Sequence, residues 1–190
     1  MSATHIAISL PEEYPYIMGV VTAIAFHCMF IGFSIGGARR KTLFNKEFMA
    51  QFEVEHNREL KQNIPTGGYP DMGNGWYCNK LSYKDWFLFN VDQRIHKNYL
   101  ESLTIVCSCL LIAGLCYGRM TLILSIVYFL ARFAYAAGYQ SSPEARAYGG
   151  AIQFMSTFVI FGTAAMSCFN MIMKTRALTG AEATMKTAEM

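Results

Sequence analysis

The sequence predicts an all-α integral membrane protein, a single domain built as a bundle of four transmembrane helices. Three observations predict it. Of 190 residues 53% are hydrophobic and only 15% charged, with a mean hydropathy of +0.24, which excludes a disordered or fibrous chain and disfavours a soluble globule. The apolar residues are gathered into long runs: Tyr14 to Ala38, Ser102 to Gly118, Met120 to Gln140 interrupted only by Arg132, and Ala147 to Met173. Two of these exceed the roughly 20 residues that cross a hydrocarbon core. Finally, short turn signals at Gly118-Arg119 and Ser141-Ser142-Pro143-Glu144 separate the last three runs.

The first helix, about 14–38, meets the Arg39-Arg40-Lys41 cluster, which belongs at headgroup level. Gly32, Gly36 and Gly37 suit the close approach of another helix. A polar connection follows over 41–84. Within it Phe44, Phe48 and Phe52 recur at i, i+4 and i+8 across Thr42 to Gln62, with Glu47, Glu55 and Glu59 around the remainder, as in an amphipathic helix lying on a surface. Pro65, Gly67, Gly68, Pro70, Gly73 and Gly75 then mark an irregular loop. The second helix, about 84–117, has a polar first half with Asp92, Arg94, His96, Lys97 and Glu101. The third covers 120–140. Ser142 reads as the N-cap of the fourth, with Pro143 at N1 and Glu144 in the first turn, and the helix runs over 143–173 before a polar tail, 174–190.

Four spans put both termini on one side and the long loop on the other. Counted from Arg39 to Lys84, that loop holds eight of the sixteen Lys and Arg residues, which assigns it to the cytosolic side or its equivalent. Glu12 and Glu13, and no Lys or Arg, stand ahead of the first run, which is too long for a signal-peptide core and is expected to remain in the mature protein. Thr187-Ala188-Glu189-Met190 is no recognisable address, and endoplasmic reticulum and mitochondrial membrane stay open. A net charge of +3 with cations dispersed among acids gives no nucleic-acid partner. Of six cysteines only Cys78 lies in a polar region, so packed free thiols are expected and not disulfides. There is no Cys-x-x-Cys pair, no phosphate-cradling G-K-[ST] ending and no Ser-His-Asp set, and His96 has no companion ligand within helical reach; neither metal nor nucleotide is expected.

Ionisable groups within a membrane helix cost about 2.5–3.5 kcal/mol each at its centre, so they face a partner, water or a ligand. Arg94, Asn98 and Glu101 stand at i, i+4 and i+7 and project from one face. An arginine fork suits a carboxylate, a glutamate holds an ammonium, and asparagine does both kinds of hydrogen bonding, so the stripe fits a zwitterion such as an amino acid or small peptide. The alternative is that Arg94 and Glu101 neutralise each other or a neighbouring helix. Tyr135 and Tyr139 repeat at i, i+4 with Gly138 thinning the wall between them for a backbone or ligand, or else form an aromatic belt. Arg146 opposes the macrodipole at a helix start, where its charge and the helix field both favour an anion such as a thiolate; anchoring at the positive side of the membrane is the other reading.

Phe89-Asn90-Val91-Asp92-Gln93-Arg94-Ile95-His96-Lys97-Asn98-Tyr99-Leu100-Glu101 closely resembles the F-N-x-x-Q-R-x-H-x-N-x-x-E signature of the MAPEG family, the membrane-associated proteins of eicosanoid and glutathione metabolism. Arg132-Phe133-Ala134-Tyr135-Ala136-Ala137-Gly138-Tyr139 is similar to that family's R-x-x-Y-x-x-G-Y, and Ala38-Arg39-Arg40 to its A-R-[RK]. The nearest type is the third class of microsomal glutathione S-transferase. The resemblance implies a homotrimer of four-helix subunits with glutathione between neighbours, held at Arg94, Asn98, Glu101, Tyr135 and Tyr139. Arg40 then matches a further site arginine supplied by another chain, and Arg146 the arginine that stabilises the glutathione thiolate in the leukotriene-forming members. The implied activity is a glutathione transferase with glutathione peroxidase activity, acting without metal on a lipophilic electrophile or lipid hydroperoxide from the bilayer.

Two departures qualify the match. Ser102 stands where leukotriene-forming members have a ligand-contacting tyrosine. The segment 41–84 is much longer than the family's loops, and its Phe44, Phe48, Phe52 face suggests a partner contact. The long loop is the main support of a competing expectation, an accessory subunit of a larger membrane assembly such as a mitochondrial respiratory complex. A lipid-presenting binding protein without catalysis ranks behind both.

Overall fold

The computed structural model describes residues 9–188; residues 1–8 and the terminal pair 189–190, and with that pair the end of the C-terminal tetrapeptide, lie outside the described residues. Helix α1, Tyr14–Ser34, passes without interruption through one π-helical turn, Ile35–Arg39, into a short α2, Arg40–Leu43. The helix thus outlasts the expected boundary at residue 38, because charge alone does not end a helix: Arg39 and Arg40 keep helical φ/ψ of −64/−46 and −62/−44. It stops where Phe44 leaves the helical region, at φ −105, ψ 52.

The single amphipathic helix expected over 42–62 is instead broken into α2, α3 (Lys46–Ala50) and α4 (Glu53–Leu60). Asn45 is extended and its Oδ1 accepts the Phe48 N–H at 2.9 Å, which starts α3. Lys61, left-handed at φ 56, ends α4. Phe44, Phe48 and Phe52 do share one side, but they do not form an open face. Their rings run edge to face at 5.7 and 5.5 Å and continue to Tyr77 at 5.1 Å and Phe89 at 5.6 Å. Phe44 and Phe52 are buried in one core with Ile35, Met49, Tyr77, Cys78 and Phe89, so the partner contact expected of this face is overturned: the chain's own loop covers it.

That loop, 61–82, is an ordered cap containing two short 3-10 turns, Thr66–Gly68 and Cys78–Lys80. Two polar side chains organise it. The Arg40 guanidinium is buried under it, donating to the Gly67 carbonyl at 3.0 Å and to the Asp71 carbonyl, and lying 4.1 Å from the centre of the Tyr69 ring. The Asp71 carboxylate accepts the backbone N–H groups of Gly73, Gly75 and Cys78 at 3.0, 2.8 and 2.8 Å. Gly68 and Gly75 have no room for a side chain: a Cβ would stand 2.6 Å from the Phe44 ring and from the Asp71 carboxyl respectively.

Three long helices complete the chain: α5 (Tyr83–Gly114), α6 (Gly118–Ser141) and α7 (Arg146–Ala188). Ser82 caps α5, its Oγ accepting the Asp85 N–H at 3.2 Å. α7 has 43 residues and continues beyond the expected end at Met173, passing through Gly180, because 174–188 contains no proline and polarity by itself does not end a helix. At 1.5 Å per residue it is about 65 Å long, twice a hydrocarbon core. Among the described residues three helices are long and apolar enough to cross a membrane: Tyr14–Leu43, Gly118–Ser141 and Arg146–Ala181. α5 is not one of them, since its first half carries the polar residues.

The chain divides into two compact units. One comprises the residues up to Ile24, Leu103–Phe133 and the chain from Gly150 on. Its core holds Ile17, Val106, Leu110, Tyr128 and Ile160, and the fully buried Arg132 of α6 is answered by Gln153 of α7. Buried Ser125, Ser156 and Thr163 return their hydroxyls to their own helix at 2.7 Å, so small polar residues let helices pack closely at little cost. The other unit comprises Ala25–Ser102 and Ala134–Gly149, and contains the cap. There α6 and α7 meet at glycines: a Cβ on Gly138 would lie 2.7 Å from the Ala145 carbonyl, and one on Gly149 only 2.3 Å from the Tyr135 nitrogen.

Burial alone would raise the Asp71 carboxyl, but the hydrogen bonds from Cys78, Gly73 and Gly75 outweigh it and hold its pKa below 3.8. A depressed native pKa contributes stability that is present above the unfolded-state value near 3.8 and is lost as pH falls through the native one. Cys78 is pushed up to about 12 by burial first and by Asp71 next, so it is a protonated, inert thiol. Asp71→Asn is therefore expected to destabilise the cap by about 1.5–3 kcal/mol. In detergent-solubilised protein this appears as a lower unfolding midpoint and as maleimide labelling of Cys78; unchanged labelling would contradict it. Gly149→Ala forces apart two backbones and should cost about 1–3 kcal/mol, checked by the same melting measurement.

Candidate functional site

The site is built on the polar half of α5. At 100° per residue Asn98 lies within about 20° of the Val91 direction, and Arg94 and Glu101 lie together on the same side of it, roughly 60–80° from Val91. Val91 and Ile95 are buried against Tyr135 and Tyr139 of α6. The two tyrosine rings stand edge to face at 5.8 Å. The packing of α5 on α6 therefore sets the polar stripe beside the tyrosine pair.

Arg94 and Glu101 face each other, with Nη1 and Oε1 3.7 Å apart and side chains 51% and 58% exposed. This distance is too long for a hydrogen bond. The mutual neutralisation held open as an alternative is thus present, but as a loose, solvated pair, and exposed pairs of this kind contribute about 0–1 kcal/mol. Ser102, at the position of the missing tyrosine, donates its hydroxyl to the Tyr99 carbonyl at 3.3 Å.

Arg146 is the first residue of α7, as expected of a cation at a helix start. The Ser142 hydroxyl accepts the Ala145 N–H at 3.0 Å, as a cap should, although 143–145 form a turn and the regular helix begins three residues later than proline at N1 would give. The turn brings the Arg146 guanidinium onto Tyr139: Nη1 donates to the hydroxyl at 2.9 Å and Cζ lies 4.8 Å from the ring centre. The close approach permitted by Gly138 is that of the Ala145 backbone, which is what allows this geometry. A half-buried guanidinium, a helix N-terminus and a phenol together favour a negatively charged ligand atom.

Arg40 stands apart from this group. Its guanidinium is buried beneath the cap among the Tyr69, Phe89 and Phe44 rings, whereas Arg94 and Glu101 are open. His96 points away from the stripe, as expected, and packs on Gly32, where a Cβ would come within 2.9 Å of its Nε2. Two polar contacts escaped the sequence reading. Arg39 Nε bonds Asp92 Oδ2 at 2.8 Å, and His27 Nδ1 stands 3.3 Å from the hydroxyl of the fully buried Tyr99. A histidine inside a charge-free run was the available signal for the second; the first needed the long-range pairing of α5 with the end of α1.

Among the described residues no group of three or more His, Cys, Asp and Glu is placed so that it could hold a metal ion. The family model described as the MAPEG family matches residues 17–166. That interval spans α1 to the middle of α7 and includes the stripe, the tyrosine pair and Arg146. The family includes glutathione transferases and glutathione peroxidases, and its members use glutathione. Matched over most of its length, and carrying helices fit to cross a bilayer, this chain is an integral membrane protein that belongs to the MAPEG family.

Proposed function

We propose that the chain is a membrane-bound glutathione transferase with accompanying glutathione peroxidase activity, closest in type to the third microsomal class. Arg94, Asn98, Glu101, Tyr135 and Tyr139 hold glutathione, and Arg146 stabilises its thiolate. The observation that carries this reading is the Arg146 guanidinium seated on the Tyr139 hydroxyl at 2.9 Å at the first residue of α7. Tyr139 uses one of the guanidinium N–H groups. The positive charge of the guanidinium and the helix N-terminus both favour an anion, and a thiolate bound there has a lowered proton affinity.

The loose Arg94–Glu101 pair supports the same reading. A tripeptide with a carboxylate at one end and an ammonium and carboxylate at the other exchanges a weak solvated contact for two directed ones. The thiol loses its proton on binding. The sulfur then forms a bond to an electrophilic carbon while the leaving group departs with the bonding electrons, and the lipophilic substrate reaches it from the bilayer. Four membrane passes, with α5 crossing as part of a homotrimer whose neighbours shield its polar half, belong to this proposal. Arg40 is left out of the site because its guanidinium holds the cap. The accessory-subunit reading keeps the long 41–84 segment as its support but loses the Phe44, Phe48, Phe52 face as an open contact, since that face packs in the chain's own core.

With purified protein in detergent, Arg146→Ala is expected to bind glutathione while losing the ultraviolet absorbance of the thiolate, and to conjugate an activated aryl halide about 10²–10³-fold more slowly. Arg146→Lys should recover part of the absorbance. Full turnover by Arg146→Ala, or a folded wild type that neither binds glutathione nor turns over, would overturn the proposal. Arg94→Ala should raise the KM for glutathione with a smaller change in kcat, measured in the same assay.

A further inference from the structure

The cap carries a second feature, remote in kind from the glutathione chemistry. Phe52, Glu55, His56, Glu59 and Leu60 of α4 and its start, with Trp76 and Tyr77 of the loop, line a cavity of about 250 Å3. One side is aromatic: Tyr77 and Phe52 meet at 5.1 Å, and Trp76 is 63% exposed. The other is acidic. Arg58 pairs with Glu59 at 2.8 Å, while Glu55 makes no ion pair among the described residues. Ring faces and carboxylates around one space attract an organic cation, the ring quadrupole contributing about 0.5–1 kcal/mol at an exposed site. The chain supplies its own illustration, with the Lys80 ammonium 6.0 Å from the centre of the Trp76 ring.

Position narrows the ligand. Tyr77 shares a core with Ile35 and Phe44, at the end of the membrane-capable Tyr14–Leu43 helix, and Arg40 fastens the loop to that same end. The cavity therefore belongs to a cap fastened at the end of a membrane-capable helix, and it is lined by tryptophan and tyrosine, residues that favour the level where the hydrocarbon stops. There the abundant organic cations are lipid headgroups. We propose that this cavity binds the ammonium end of a zwitterionic phospholipid headgroup, a choline or ethanolamine, and so fixes the cap on the membrane surface. An anionic headgroup without ammonium is repelled by Glu55 and Glu59.

Trp76 and Trp86 are the two tryptophans of the chain, so Trp86→Phe makes Trp76 the sole reporter. The full-length variant is placed in phosphatidylglycerol nanodiscs containing a minor fraction of phosphatidylcholine with a nitroxide on its choline nitrogen. Emission is expected to be quenched about two- to fivefold more than by a lipid labelled near the chain end. The excess should fall when unlabelled phosphatidylcholine replaces the phosphatidylglycerol, and vanish in Glu55→Gln/Glu59→Gln. If Trp86→Phe does not fold, the difference in quenching between the wild type and Trp76→Phe gives the same quantity. Equal quenching by both labels, or quenching by aqueous iodide with none by lipid, overturns the proposal; the latter points to a lysine- or arginine-bearing protein partner. Relief of quenching by soluble glycerophosphocholine at matched concentration would assign the cavity to a free ammonium compound and overturn the lipid reading.

Discussion

A charged or strongly polar side chain on a helix in apolar surroundings must be answered by another group, and how it is answered separates structure from function in this protein. Arg132 is buried and bonded to Gln153, Arg39 meets Asp92 at 2.8 Å, and Arg40 is enclosed by carbonyls and rings. For the buried Arg40 and Arg132, losing the partner leaves a buried charge unanswered at a cost of several kcal/mol, whereas the Arg39 side chain is 41% exposed and its pair costs less to break. The Arg94–Glu101 pair is different. At 3.7 Å with both side chains half exposed it satisfies neither partner fully. Its slight contribution to stability is what suits it to a ligand that offers a better match.

The same distinction explains the long connection between α2 and α5. A loop of this length in a compact protein needs its backbone groups satisfied. Arg40 accounts for two carbonyls and Asp71 for three N–H groups, and Asn90 of α5 donates to the Gly73 carbonyl at 2.6 Å. Beneath this polar layer the Phe44, Phe48, Phe52 and Tyr77 rings supply the apolar core. The cap is accordingly a small folded element fastened to the end of a membrane-capable helix.

Much of this was legible in the sequence because helical periodicity is local. The stripe on α5, the tyrosine pair, the capping serine at 142 and the cation at the start of α7 all follow from spacing and end effects over a few turns. What was not legible depended on distant backbone. Arg40 hydrogen-bonds carbonyls, which any residue provides, so no side-chain pattern reveals its role. The nearest signal was Asp71 followed by glycine at +2 and +4, a pattern suited to a carboxylate folding its own backbone around itself. Phe44, Phe48 and Phe52 were correctly placed on one side but their covering came from residues more than twenty positions on. The helix over 174–188 was obscured by its polarity, which bears on where a helix lies and not on whether it forms.

A guanidinium seated on a tyrosine at a helix start, beside a loosely paired arginine and glutamate, is the physical basis for assigning glutathione chemistry to this member of the MAPEG family. The most direct test is an experimental structure of the protein in lipid with glutathione bound. The account predicts the sulfur within hydrogen-bond distance of the Arg146 guanidinium, and the charged ends of the tripeptide separating Arg94 from Glu101. Glutathione bound away from the 94/98/101 face, or its sulfur remote from an Arg146 still closed on Tyr139, would contradict it.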